Sequence, residues 1–130
     1  MKMISVLLLT LLWLGCGGYS APSASMPTAG VVPVIMQLVP NTAKAGDPGF
    51  TLTVNGSSFN SDATINWSGS KQSTTYVTGN QLTTAIPASA ITTSATVAVT
   101  VTNPGHAAGG IYGTGGTASA TSTAMNFTVN

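Results

Sequence analysis

At 130 residues the chain has room for one compact domain and no second core. Hydrophobic residues make up 43% and charged residues only 4%, against a usual charged share of about 25%, so polarity comes from Thr, Ser, Asn and Gly, which suit strands and turns better than helix surfaces. The formal net charge of +1 comes from Lys2, Lys44 and Lys71 against Asp47 and Asp62; no basic patch can be assembled from these, and nucleic acid, whose binding is driven by counterion release, is not an expected partner.

Met1-Lys2-Met3 is a short positive start, followed by the apolar run Ile4 to Leu14 and then by small residues. That three-part layout is a secretory signal, and the run is shorter than the roughly 20 residues a permanent membrane helix needs. The run ends in Leu12-Trp13-Leu14-Gly15-Cys16-Gly17-Gly18, which resembles the lipobox of bacterial lipoproteins, although Trp13 and Leu14 stand where that family prefers Leu and a small residue. The resemblance implies cleavage after residue 15, lipid attachment at Cys16 and an anchor in the cell envelope. Gly17 beside it resembles the sorting pattern for an outer membrane or cell surface. Cys16 is the one cysteine of the chain and has no internal partner for a disulfide. The alternative is an ordinary signal cut after Ser20 or Ser25. Removal of Lys2 with the signal leaves Lys44 and Lys71 balanced by Asp47 and Asp62, a neutral chain without the self-repulsion that keeps domains apart.

From Gly17 to Val32 the chain is small and Pro-interrupted with no apolar period, the composition of a flexible linker. The expected organisation is thus a signal at 1–15, a lipidated cysteine and linker at 16–32, and one domain at 33–130.

Beyond the linker, short apolar alternations recur about every ten residues with turn residues between them, the pattern of an all-β sandwich of about seven strands. Val34–Leu38 is the first, between Pro33 and Pro40. Phe50, Leu52 and Val54 alternate with Thr51 and Thr53, which places the first three in the core. Asn55-Gly56 is then read as a turn with Gly56 at positive φ. Ile65 and Trp67 point inward from Thr64–Trp67; Gln72–Val77 is a more polar strand; Gln81–Ile86 carries Leu82 and Ile86 on one face and stops at Pro87, since a central strand cannot spare the amide donor. Val97, Val99 and Val101 alternate through Thr96–Thr102, and Met125, Phe127 and Val129 repeat the pattern near the C-terminus.

The residues Leu38-Val39-Pro40, Ala45-Gly46, Phe50 through Asn55-Gly56-Ser57-Ser58-Phe59, Ile65-Asn66-Trp67, Leu82 with Ile86-Pro87, and Val97 through Asn103-Pro104-Gly105 together resemble an IPT/TIG domain. That is the immunoglobulin-like fold shared by plexins, some transcription factors and many bacterial surface proteins. The resemblance covers Pro33 to Val129. It implies a sandwich used for contact, spacing or dimerisation, and it brings no catalytic motif. The basic DNA-contacting loops of the transcription factors have no counterpart here, and the glycine-rich stretch Asn103–Ser119 is longer than the connection usual in bacterial members.

The inventory for chemistry is thin. After the signal the chain holds one histidine, two aspartates and no glutamate. A Ser-His-Asp set is arithmetically open to His106 with Asp47 or Asp62, but no nucleophile-elbow motif places a serine beside them. Zinc would want three or four convergent ligands. Calcium at Asp47 and Asp62 is weaker than the plain reading, that both carboxylates bond turn amides. No enzyme activity, metal or cofactor is expected. Trp67, in phase with Ile65, reads as a core tryptophan in preference to a sugar platform, and Tyr76 as an exposed aromatic. The best contact site is the long loop carrying His106, Ile111 and Tyr112, against the alternative of an insertion that binds nothing. The expected function is a non-catalytic envelope module contacting protein or glycan, self-association included; the rivals are a pure spacer and an accessory carbohydrate-binding unit beside a secreted hydrolase.

Overall fold

The computed structural model describes residues 28–108 and 115–130. Ten strands follow in chain order: β1 Val34–Val39, β2 Thr42–Ala43, β3 Phe50–Ser57, β4 Thr64–Trp67, β5 Ser70–Lys71, β6 Thr74–Thr78, β7 Gln81–Ile86, β8 Ala95–Asn103, β9 Ala120–Thr121 and β10 Met125–Val129. A 3-10 turn, Ala88–Ile91, lies between β7 and β8. Apart from the two-residue pieces β2, β5 and β9, these are the segments whose alternation marks them as strands.

They form two sheets. One has the order β1-β3-β7-β6; the other runs β2-β10-β8-β4-β5, with β9 paired to β8 beyond the end of β10. Every pairing is antiparallel except β10 with β2. The main strands match the two layers of a constant-type immunoglobulin sandwich, in which the first strand pairs the second and the last pairs the strand before it.

Alternation makes the shared interior. Leu52 and Val54 from β3, Leu82 and Ile86 from β7, Ile65 and Trp67 from β4, Val97, Val99 and Val101 from β8, and Phe127 and Val129 from β10 are all buried. Phe127 sits at the centre. Its ring stacks on Phe50 at 5.5 Å and meets Trp67 at 5.0 Å, tilted by 57°, offset geometries that add to plain burial. Trp67 is therefore core and Tyr76 exposed, as the phase of each residue implies. Ile91, from the 3-10 turn, closes the end of the sandwich opposite the start of β1 and is buried.

Two readings of the sequence need correction. Gly56 does not turn the chain: β3 continues through it to Ser57, and the positive φ belongs to Ser58 at 61°. Gly56 is required for another reason, since a β-carbon there would run into the Val34 carbonyl oxygen of the neighbouring strand. The polar strand begins at Thr74, not Gln72, because the Gln72 amide donates back to the Ile65 carbonyl at 2.8 Å and so belongs to the bend out of the other sheet. The stretch Thr28 to Val31, within the expected linker, is hydrogen-bonded to the domain at both of its ends.

Candidate functional site

One end of the sandwich gathers the start of β1 and the connections β3–β4, β6–β7 and β8–β9. This is the same end, in strand terms, that carries the recognition loops of variable immunoglobulin domains. The Phe59 amide donates to the Gly79 carbonyl at 2.9 Å and the Gly56 amide to the Asn80 carbonyl at 2.9 Å, so the β6–β7 turn is tied to the β3–β4 connection. Phe59 is buried beneath them.

Asn103 holds this end together. It continues the inward phase of Val97, Val99 and Val101 and is 1% exposed, so its amide has to be fully bonded by protein. Its Nδ2 donates to the Val31 carbonyl at 2.8 Å and to the Ser58 carbonyl at 2.8 Å, while its Oδ1 accepts from the Asn60 amide at 3.0 Å. One side chain thereby joins the N-terminal arm, the β3–β4 connection and the end of β8.

The glycine-rich connection after β8 has an organised base. His106 and Thr117 exchange both main-chain hydrogen bonds, at 3.0 and 2.9 Å. On the other side of the same segment the Thr28 amide donates to Gly116 and the Ala118 amide to Thr28, at 2.8 and 2.9 Å. The arm, residues 116–118 and His106 thus lie side by side as three short extended pieces.

His106 is brought to Asp62, from the β3–β4 connection, with Nε2 3.2 Å from Oδ2. This is an ion pair when the imidazole is protonated. The two side chains are 59% and 41% exposed, so the pair is worth at most about 1 kcal/mol, and its effect is to orient one loop on the other. Asp47 lies at the opposite end, where Oδ2 accepts from the Lys44 amide at 2.9 Å, the turn role expected of it. Of the two arithmetical triads only the Asp62 one has its acid beside His106, and among the described residues no serine hydroxyl hydrogen-bonds either partner. Nor do three or more His, Cys, Asp or Glu side chains converge among the described residues.

Ile111 and Tyr112 lie outside the described residues, as does Cys16. The structure thus places His106, of the loop's three expected contact residues, on the surface at the base of the connection. It adds Asn103 and Asp62, which the sequence alone does not assign to the site. Asn103 carries a usable signal, an amide in an inward phase. Asp62 carries none, because its meeting with His106 depends on which strands are neighbours.

No curated protein and no solved structure matches the chain. A sequence model of the IPT/TIG domain matches residues 33–128, and such domains are generally non-catalytic immunoglobulin-like modules. With that match covering both sheets but for Val129, the last residue of β10, the chain belongs to the IPT/TIG domain family.

Proposed function

We propose that the chain is an exported lipoprotein of the bacterial cell envelope, and that its single domain is a non-catalytic module contacting an envelope protein or glycan through the loop end. The observation that carries this reading is the gathering of three connections at one end around Asn103, with the long β8–β9 connection pinned at its base by Thr117 and Asp62. A rigid scaffold presenting a long connection is how sandwiches place variable contact residues. The tether supports it further. Thr28 joins the domain at this same end, and Cys16 lies twelve positions before it, a reach of at most about 43 Å when extended. A lipid on Cys16 would hold the loop end toward an outer-membrane or cell-surface layer, with the C-terminus pointing away.

Two measurements test the reading. Mass spectrometry of the mature N-terminus is expected to find acylated Cys16; an unacylated product starting at Ala21 or Met26 removes the anchor. The tagged full chain, recovered from envelope extract, is expected to bring down a partner that a doubly substituted chain, Ile111→Ala with Tyr112→Ala, loses by about tenfold or more, the effect of removing a central anchor. Recovery of the same partner by both chains would sink the loop-end contact.

A further inference from the structure

Asn55-Gly56 is the one Asn-Gly step in the chain; elsewhere Asn precedes Thr, Ser, Trp, Gln, Pro or Phe. Such a step is chemically labile. With no side chain on the second residue to shield it, the glycine nitrogen can attack the asparagine side-chain carbonyl carbon, closing a five-membered ring and expelling ammonia. The fold itself demands the step. A β-carbon at position 56 would strike the Val34 carbonyl, so glycine is required there, while Asn55 serves as acceptor for the Gln81 side-chain amide at 3.1 Å. Three features of the folded loop end hold the reaction off. β3 runs through Gly56 to Ser57, and an extended ψ of about +135° turns the Gly56 nitrogen away from the Asn55 β-carbon. The Gly56 amide, whose proton has to leave, is bonded to the Asn80 carbonyl of the β6–β7 turn at 2.9 Å. The Gln81 bond draws the Asn55 side chain across to β7.

We propose that Asn55 is a self-modifying site gated by the loop end: shielded while the β6–β7 turn is closed on Gly56, and converted to aspartate or isoaspartate when that turn lifts by local opening. The step balances with water and hydroxide alone. Base takes the Gly56 amide proton, the nitrogen bonds to Asn55 Cγ, the Cγ–Nδ2 bond breaks and ammonia leaves. Water then opens the ring at either of its two carbonyls. Opening at Cγ restores a main chain of normal length with aspartate at 55. Opening at the other carbonyl routes the main chain through the former side chain and adds a methylene between 55 and 56. The two products differ in consequence. Aspartate at 55 still accepts from Gln81, and the loop end closes again. The extra methylene of isoaspartate displaces Gly56 and Ser57 from Ile35 and Val34, with which they pair. It also carries Ser58 and Asn60 off Asn103, and Phe59 off Gly79. A chain whose loop end has stood open is thereby marked for good. The site acts on the loop end but does not depend on any contact made there.

The test follows the full chain in mildly alkaline buffer, folded and in urea, by mass spectrometry of the peptide carrying Asn55 and by enzymatic methylation of isoaspartate. Conversion at Asn55 is expected to be about tenfold slower or more in the folded chain, because only the opened fraction reacts. Asn103→Ala, which unties the loop end, is expected to raise the folded-state rate by about tenfold or more. Gln81→Ala, which frees only the Asn55 side chain, is expected to raise it by about threefold, the effect of one hydrogen bond. The melting transition checks that each variant is folded; should Asn103→Ala not fold, Gln81→Ala and the unsubstituted chain carry the comparison. Returned from urea, chains with aspartate at 55 are expected to recover the melting transition and chains with isoaspartate are not. Equal rates folded and in urea, no conversion at Asn55 in urea, unchanged rates in the folded variants, or full recovery by the isoaspartate form would each overturn the proposal.

Discussion

Asn103 shows most plainly how a single side chain sets the geometry of the candidate site. On a dry face an amide costs free energy unless every donor and acceptor is matched, and here Val31, Ser58 and Asn60 match it. Asn103→Ala is expected to destabilise the domain by about 3 kcal/mol, from the lost bonds and the groups left unpaired. Asn103→Asp keeps the shape but has no donor for the two carbonyls, and it is expected to cost at least as much. Denaturant unfolding checks both; a cost under about 0.5 kcal/mol for either would show that the arm and loops are held by something else. The burial of Asn103 is legible in the sequence, since it lies two residues beyond Val101 in the same phase. Its partners are not, because they lie 72, 45 and 43 residues away in the chain and no local pattern encodes such contacts. The same holds for His106 and Asp62: each is visible as an isolated ionisable group, and only the pairing of β4 with β8 brings them within 3.2 Å.

At the scale of the elements, β1 and β3 test why a turn signal failed. Asn-Gly usually marks a hairpin turn, yet here Asn55 bonds Gln81 across the sheet at 3.1 Å and Gly56 stays in the strand, where the Val34 carbonyl leaves no room for a side chain. Gly56→Ala is therefore expected to cost about 3 kcal/mol by forcing β1 off β3. Gly69→Ala provides the contrast: φ is +81° with open space around the site, and the cost is about 1 kcal/mol from the left-handed backbone alone. Thermal unfolding of the two variants checks the order; equal costs would mean that Gly56 serves only as a flexible joint. The long strands themselves are legible because period-two alternation is a local property, as Phe50-Leu52-Val54 and Val97-Val99-Val101 demonstrate. The 3-10 turn is not, since Ile91 is a lone apolar residue among Ala, Ser and Thr and has no period to reveal it.

The whole molecule combines a charge-poor sandwich with two surfaces of different character. Uncharged hydroxyls and amides satisfy one another along β4 and β8, as where the buried Asn66 donates to Thr100 and Thr102 and Thr102 bonds Thr121, and need no ionic partner. The side between β1 and β10 exposes Val34, Met36 and Val39; the loop end, where the arm enters, is the surface proposed for contact. Which end the arm joins follows from strand order and is not visible in composition or periodicity. The central claim, that contact is made through the loop end, is tested most directly by photo-crosslinking in living cells, with a photoreactive residue in place of Tyr112, of His106, or of Ala85 on the exposed sheet face. Positions 112 and 106 are expected to give the same discrete adduct and position 85 none. An adduct from position 85 alone, or none from any position, would contradict the account.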